Sequence, residues 1–369
     1  MKKVLVFGIT DTKGGVESVI MNYYRNINRD EIQFDFLCNN EQVAYEDEIT
    51  ALGGTIYRVT ARSKNVNQYK KDMIDFFTNH AKEYESIWVN ICSLANIDYL
   101  KYAKKYGIRK RIIHCHNSQN MDSFLRGLLH RFNKVFLKNY ATDFWSCSND
   151  ASKWFYSNSM INSDKYQVIK NAIDVDNFEF NEQIRKEYRA KLNLDNKLVI
   201  GNVGRFHFQK NHPFIIKVFN EIHKQKPESI LLLIGTGPDE DKIKQMVNDF
   251  GLKDNVQFLG SRSDVPQLMM AMDGFLFPSV FEGLGIVAVE AESTGLKVFA
   301  SSKVIPDDVN VDKNLYYAIS LDESEKVWCD KILEELSKEY NRKSNIELIK
   351  NAGYDIKEEA VKLEKMLVN

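Results

Sequence analysis

Short apolar runs alternate with helical patterns along the first half of the chain. The segments between most runs carry hydrophobic positions three or four residues apart, which is the period of a helix. Continuously apolar strands that alternate with helices predict parallel pairing, with both faces of the sheet buried. The predicted strands are 3–9, 33–39, 55–59, 86–91, 111–116, 143–148 and 166–171.

The same alternation begins again near residue 197. Two consecutive repeats of it predict an α/β fold made of two Rossmann-like, doubly wound domains. The polar, turn-rich segment 173–182 marks the boundary, which gives one domain over 1–178 and another over 179–345. Residues 346–369 form a charged helical pattern that either packs on its own domain or crosses back to the first. The predicted strands of the second domain are 197–206, 229–235, 256–260, 274–279 and 297–301.

Composition and charge exclude several classes of protein. With 44% hydrophobic and 27% charged residues the chain is typical of globular proteins, and a net charge of −1 argues against a basic nucleic-acid binder. There is no run of 18 apolar residues, and the N-terminus has a strand-like pattern without a cleavage site, so we expect neither a membrane span nor a signal peptide. Five scattered cysteines without a CxxC motif are typical of reduced thiols, so we expect a cytoplasmic protein.

One stretch departs from this balance. Between residues 99 and 138, ten Lys and Arg residues accompany a single acid, Asp122. Within it, apolar residues recur three or four apart, and the cations fall largely elsewhere around the helix. Two interpretations stay open: an amphipathic helix that covers the first sheet, or a helix that docks on the anionic inner face of the cell membrane. The apolar positions are Phe124, Leu125, Leu128, Leu129, Phe132 and Phe136.

In open parallel sheets, ligands bind beyond the carboxyl ends of the strands, so the loops there carry the candidate chemistry. Gly14 and Gly15 precede a helix whose N–H groups could approach an anion, but their spacing matches neither a dinucleotide fingerprint nor a P-loop. That mismatch argues against a dehydrogenase or an ATPase. Arg205 and Lys210, in the loop after 198–203, could hold a diphosphate without a metal, or be two ordinary surface cations.

The segment 277–291 carries the most information. It follows a strand, turns through two glycines and opens a helix, so the N–H groups of residues 283–286 would point at an anion. Glu282 can accept hydrogen bonds from sugar hydroxyls, and Glu290 can chelate a cis-diol such as a ribose. Each carboxylate could instead simply complement the helix dipole.

Five ordered motifs make the chain resemble the GT-B retaining glycosyltransferases of the fourth family, which use nucleotide sugars. The likeness is strongest to transferases that assemble capsular polysaccharide or exopolysaccharide. It implies two Rossmann-like domains that face a central cleft, the first binding the acceptor and the second the nucleotide sugar. Ala172 departs from the usual glycine, and the loop 301–308 lacks the usual double glycine. The motifs are GGVE at 14–17, His114-Cys115-His116-Asn117, Asn171-Ala172-Ile173-Asp174, GRFHFQKN at 204–211 and the Glu-x7-Glu of Glu282 and Glu290; FLGSRSDVPQL at 258–268 also matches.

The resemblance also assigns roles to single residues. Arg205 and Lys210 hold the donor diphosphate, and Glu290 holds the ribose. His116 lies over the reacting face, whereas His114 is expected in the core. No cofactor and no metal is implied, because side-chain cations and backbone amides meet the charge on the leaving group. Further donor-site residues are Glu282, Gly283, Leu284, Gly285 and Ile286 for the sugar and β-phosphate, and Gly260 and Ser261 beside the base; Gly14 and Gly15 form the N-terminal loop.

The sequence therefore predicts a retaining transferase that moves a hexose from a UDP-sugar to a saccharide acceptor, which we expect to be lipid-linked. A nucleotide-sugar 2-epimerase of the same fold is the nearest alternative, but it needs more ionisable groups than His116 offers. A second alternative is a catalytically silent module that binds sugar nucleotides. Such a module need not retain cations for the leaving group, so the presence of Arg205 and Lys210 argues against it.

Overall fold

The computed structural model describes residues 1–118 and 124–368. The chain forms two compact units, one comprising Met1–Ile173 and Gly353–Asn369, the other Asp174–Ala352. The division after Ile173 falls five residues before the predicted boundary at 178. The reason is that the short 3-10 helix Val175–Phe178 buries its apolar side chains within the second unit.

Among the described residues, the first unit is built on a seven-stranded parallel sheet of order β3-β2-β1-β4-β5-β6-β7. Every strand predicted for the first half is present. The strands are β1 (Lys2–Phe7), β2 (Ile32–Cys38), β3 (Ile56–Arg58), β4 (Tyr84–Ile91), β5 (Lys110–Cys115), β6 (Asp143–Ser146) and β7 (Tyr166–Val168). The helices are α1 (Gly15–Asn26), α2 (Glu46–Ala51), α3 (Val66–His80), α4 (Asp98–Lys105), α5 (Phe124–Phe136), α6 (Asn149–Phe155) and α7 (Asn158–Ile161).

The second unit repeats the plan with a six-stranded parallel sheet of order β10-β9-β8-β11-β12-β13. The five predicted strands are present, and β13 was missed because it is a short edge strand with only one buried residue. The strands are β8 (Val199–Val203), β9 (Ile230–Ile234), β10 (Val256–Gly260), β11 (Gly274–Phe277), β12 (Lys297–Ser301) and β13 (Tyr316–Ile319). The helices are α8 (Glu182–Lys191), α9 (His212–Gln225), α10 (Glu240–Asp249), α11 (Val265–Ala271), α12 (Ile286–Ser293), α13 (Glu325–Ser337) and α14 (Ile346–Asn351).

The tail predicted as one helical pattern over 346–369 is divided. After α14 the chain turns at Gly353, whose φ of 80° is a left-handed conformation that interrupts the helix. Ile173 then accepts a backbone hydrogen bond from Ile356 at 2.9 Å, and a last helix, α15 (Ile356–Val368), follows. The apolar residues of α15 join the core of the first unit. They are Ile356, Ala360, Leu363 and Leu367.

Both sheets share one topological feature. The strand order reverses between β1 and β4 in the first sheet, and between β8 and β11 in the second. In open α/β sheets such switch points are where loops diverge and leave room for a ligand. The loops after β8 and β11 carry the strongest candidate residues of the sequence, so the topology places them side by side. Across the described residues, no helix has both the length and the apolar character needed to cross a bilayer.

Candidate functional site

Arg205 lies in the loop that follows β8, and the loop after β9 supports it. Phe206 donates a backbone hydrogen bond to Thr236 at 3.0 Å, and Gly204 donates one to Ile234 at 2.9 Å. Gly235 has a φ of 134°, and a Cβ there would collide with the carbonyl of Gly204, so the two loops can approach only because this residue is glycine. Arg205 itself is exposed, and its guanidinium forms no ion pair with any described residue.

Lys210 ends the same loop and forms a largely buried ion pair with Glu282. Its Nζ lies 2.7 Å from the Glu282 Oε1, with side-chain exposures of 17% and 7%. The ammonium also lies 5.1 Å from the centroid of the Phe277 ring, which is within the range of a cation–π contact. The loops after β8 and β11 are therefore joined by a charge pair that is shielded from water.

Further side chains hold the Glu282 carboxylate. Ser279 Oγ donates to Glu282 Oε1 at 2.7 Å, and Gln209 Nε2 lies 3.4 Å from Oε2. Sequence reasoning gave no role to Ser279 or Gln209, although Ser279 lies in the segment 277–291 and Gln209 in the motif 204–211. A carboxylate held in this way positions Lys210. Its predicted contact with sugar hydroxyls stays a prediction.

The turn between β11 and α12 leads into the N-terminus of α12, where backbone N–H groups lack hydrogen-bond acceptors among the described residues. Gly285 is the N-cap residue with a φ of 85°, a conformation that glycine adopts without strain, and it follows Gly283 and Leu284. The N–H groups of Leu284, Gly285 and Ile286 donate no hydrogen bond to any other described residue. Such N–H groups, with the positive end of the helix dipole, favour an anion at this position.

Glu290 lies on α12, in the second turn. Burial raises the pKa of its carboxyl group to about 7, against a smaller lowering by the charge of Lys210. No described residue hydrogen-bonds to it. Glu292, two residues further on, is fully buried, whereas Glu290 is only partly buried. Desolvation raises the pKa of Glu292 to about 8, but this carboxylate accepts backbone hydrogen bonds from Val311 and Asp312 at 3.1 and 2.7 Å. Glu292 therefore has a structural role, whereas Glu290 is left available to a ligand.

Gly260 and Ser261 lie at the carboxyl end of β10. Gly260 has a φ of 66° and accepts a backbone hydrogen bond from Gly235 at 2.8 Å, and Ser261 is exposed. The next residues are held by charge, because Arg262 hydrogen-bonds to Asp264 and lowers the pKa of that carboxyl to about 2. The structure thus brings the predicted donor-site residues of the second unit to the carboxyl edge of one sheet.

In the first unit, Gly14 and Gly15 begin α1 as predicted. The Glu17 carboxylate is buried and accepts a hydrogen bond from Thr10 Oγ1 at 2.6 Å. It lies so close to Gly14 that a Cβ there would come within 2.7 Å of the Glu17 Oε2. The positive end of α1 therefore already faces a carboxylate of its own chain.

His116 follows β5, and its Nε2 lies 2.9 Å from the Asn90 Oδ1. Burial lowers the pKa of His116 to about 3, so the ring is neutral at pH 7. An amide oxygen only accepts hydrogen bonds, so we assign the proton to Nε2, which leaves Nδ1 with a lone pair. His114 is fully buried, as expected, with its ring centroid 4.1 Å from that of His116. Asn90 was missed, and its one signal is a polar residue inside an apolar strand.

Comparisons with known proteins agree with this arrangement. Residues 184–355 match the family model described as Glycosyl transferases group 1. The chain is 30% identical over 357 residues to a putative glycosyltransferase, EpsF of Bacillus subtilis, covering 93% of this chain and 90% of that protein. It is 28% identical over 180 residues to the UDP-Gal:alpha-D-GlcNAc-diphosphoundecaprenol alpha-1,3-galactosyltransferase of Escherichia coli, covering 47% of this chain and 46% of that protein.

A solved structure has the same fold. It is that of Anabaena Alr3699/HepE in complex with UDP, with a TM-score of 0.78 and 19% sequence identity, covering 100% of this chain and 99% of that one. The likeness confirms the predicted GT-B fold with its two parallel sheets. Because the chain is 30% identical to EpsF over 93% of its length and residues 184–355 match the family model, this protein belongs to the group 1 glycosyltransferases.

Proposed function

We propose that this protein is a retaining glycosyltransferase that moves a hexose from a UDP-sugar to a lipid-linked saccharide, in the assembly of capsular polysaccharide or exopolysaccharide. One observation carries the proposal: the buried Lys210–Glu282 pair lies at the same sheet edge as Glu290, a partly buried carboxylate without a hydrogen-bond partner among the described residues. UDP in the HepE structure supports the donor class. The name of the Escherichia coli relative supports a UDP-sugar donor and a diphosphoundecaprenol-linked acceptor.

In this proposal the second unit binds the nucleotide sugar through side-chain cations and through backbone N–H groups that have no partner among the described residues. Arg205 and Lys210 hold the diphosphate, together with the N–H groups of residues 284–286. Glu290 accepts hydrogen bonds from the ribose hydroxyls, and Gly260 and Ser261 lie beside the base. Because these groups are held before the donor arrives, they stabilise the charge that develops on the leaving diphosphate without reorganising.

Retention is proposed to follow front-side attack. The acceptor oxygen forms a bond to the anomeric carbon on the face from which the diphosphate departs, and its proton passes to the departing phosphate oxygen. The Glu282 carboxylate accepts hydrogen bonds from Lys210 and Ser279, so in this proposal it positions the Lys210 ammonium and does not act as a nucleophile. His116 is proposed to orient the sugar as a neutral ring, because its low pKa keeps it unprotonated. We propose that the reaction needs no metal.

The test is to remove each cation and measure turnover. Lys210→Ala and Arg205→Ala should each lower turnover by roughly 10²–10³-fold, as expected for lost stabilisation of a developing charge. Lys226→Ala, which removes an exposed cation of the same unit, is the control and should be silent. Circular dichroism checks that each variant folds. Near-normal turnover in both Lys210→Ala and Arg205→Ala would refute the diphosphate assignment.

The same assay separates the alternative functions when its products are identified across a panel of UDP-sugars. Release of UDP with transfer to a saccharide supports the proposal. A 2-epimerised nucleotide sugar as product would show an epimerase. Thermal stabilisation by UDP-sugars without any turnover would show a silent binding module, because binding alone stabilises the folded state.

A further inference from the structure

The partly buried ring of His116 has one nitrogen with a partner and one without. Its Nε2 lies 2.9 Å from the Asn90 Oδ1, whereas its Nδ1 is shielded from solvent and has no hydrogen-bond partner among the described residues. The neighbouring ring of His114 offers no partner, because it contacts His116 ring to ring. A buried polar atom without a partner costs folding free energy, and native proteins keep few of them. The His116 Nδ1 is therefore a candidate contact for a ligand.

Asn90 is held so that its oxygen, and not its nitrogen, faces the ring. This buried residue lies near the carboxyl end of β4, and its Nδ2 donates to the backbone carbonyls of Phe7 and Trp88, both at 3.4 Å. A carbonyl only accepts hydrogen bonds, so both contacts require the NH2 group of the amide on that side. The Oδ1 is then left for His116. The direction of the amide is thus set by two backbone groups that do not belong to the histidine loop.

A glycine makes room for Asn90 beside β1. Gly8 directly follows β1 and has a φ of 140°, and a Cβ there would lie 2.7 Å from the Asn90 Cβ and 2.8 Å from the Asn90 backbone oxygen. Any side chain at residue 8 would therefore displace Asn90. Because β1, β4 and β5 are consecutive in the sheet, Gly8, Asn90 and His116 follow one another across three neighbouring strands. They lie at the switch point between β1 and β4, where a ligand is expected.

We propose that Asn90 is a positioning residue for the transfer reaction: it fixes the ring of His116 in the tautomer that keeps the Nδ1 lone pair free for a hydroxyl of the bound sugar. In a neutral imidazole, the hydrogen bond made by one nitrogen decides whether the other accepts or donates. Here Nε2 donates to Asn90, so Nδ1 only accepts, and the group that it meets must offer a hydrogen, as a hydroxyl does. This inference deepens the proposed function and rests on the role given there to His116.

The alternative is that Asn90 only ties two strands together. The second unit contains an asparagine that does this alone. Asn202 of β8 is fully buried, and its Nδ2 donates to the Leu276 carbonyl of β11 at 2.8 Å, while its Oδ1 has no hydrogen-bond partner among the described residues. Asn202 therefore has the strand-to-strand contact of Asn90 without the contact to a histidine. It is the matched control for the experiment.

The first measurement is nitrogen NMR of protein with isotope-labelled histidine rings, at about pH 8, where a histidine of ordinary pKa is neutral. The signals of His116 are assigned by their absence in His116→Ala. Asn90→Leu replaces the amide by an apolar side chain of similar shape, and Asn90→Ala is a second variant in case the first does not fold. The wild type and Asn202→Leu should carry the proton on Nε2. In the Asn90 variants, the ratio of the Nε2–H form to the Nδ1–H form should fall about fivefold.

The second measurement is turnover of a UDP-sugar, with each asparagine variant made in the wild type and in His116→Ala. Asn90→Leu should lower turnover about tenfold in the wild type, because a misplaced ring no longer orients the sugar. In His116→Ala the same change should cost less than about twofold, because the residue through which Asn90 acts is gone. Asn202→Leu should have the same effect in both backgrounds.

Three results would overturn the inference: a proton on Nδ1 in the wild type, a tautomer that ignores both Asn90 variants, or an equal cost of Asn90→Leu in the two backgrounds. Its failure can be told apart from failure of the proposed function. If the tautomer responds to Asn90 but His116→Ala turns over like the wild type, Asn90 positions the ring and the proposed role of His116 is wrong. If His116→Ala is impaired but the tautomer does not respond, the proposed function stands and the inference fails.

Discussion

Replacing Glu290 by glutamine should make the protein more stable and at the same time a poorer binder of UDP. The carboxylate has no hydrogen-bond partner among the described residues, and burial raises its pKa to about 7 from the ordinary 4.5. Keeping it ionised in the free protein therefore costs folding free energy. Glutamine has nearly the same shape and carries no charge, so the variant avoids that cost. It also loses the acceptor that we propose for the ribose hydroxyls.

The sign and size of the stability effect follow from linkage. Since the folded state holds the proton more tightly than the unfolded state, stability is lost as the pH rises from about 4.5 through about 7. At about 1.36 kcal/mol per pKa unit, the cost of the carboxylate reaches about 3 kcal/mol at pH 8 and falls to about 1 kcal/mol at pH 5. For a domain of this size, each kcal/mol shifts the melting temperature by about 2–4 °C.

The assay is thermal unfolding of wild type and variant between pH 5 and pH 8, with and without UDP. Glu228→Gln, at an exposed position of the same unit, is the control and should change neither property. Glu290→Gln should gain stability that grows with pH, yet bind UDP about 10- to 100-fold more weakly, since hydrogen bonds to a charged group are worth about 1.5–3 kcal/mol. A variant that is less stable than wild type at pH 8, or a stability difference that does not depend on pH, would refute the reasoning.

Two further predictions concern the charge on the donor. In a transfer assay, activity should survive an excess of chelator, because Arg205, Lys210 and the N-terminus of α12 are proposed to neutralise the diphosphate charge. Complete loss of activity with chelator, restored by adding magnesium or manganese, would contradict this. Glu282→Gln should lower turnover at least tenfold while UDP binding changes less than in Glu290→Gln, because it removes the 2.7 Å charge pair that positions Lys210 and leaves the ribose partner in place. Isothermal titration with UDP and steady-state kinetics measure the two effects, and equal losses of UDP affinity in both variants would count against the division of roles.

Much of the fold could be read along the chain. The apolar runs that became β1 and β8 needed only their neighbours in sequence to be recognised, because a strand buried on both faces is continuously apolar. The ordered motifs led correctly to the family and the fold. Prediction failed at β13 and at the break at Gly353. A half-exposed edge strand carries a weak pattern, and a helical period does not show which residue will adopt a left-handed turn.

The sequence by itself determined the alternation of strands and helices, the position of the Glu-x7-Glu segment and the presence of Arg205 and Lys210, because these are local properties of the chain. Only the tertiary structure decided which groups meet. Lys210 and Glu282 are 72 residues apart, and they pair because β8 and β11 are neighbours in the sheet. The exposed apolar side of α5 was decided in the same way, because the Leu94 N–H donates to His130 Nδ1 and Asn133 Nδ2 donates to the Leu94 carbonyl, across about 40 residues of sequence. A helical period shows that a face is apolar; what that face meets depends on contacts that long-range packing creates.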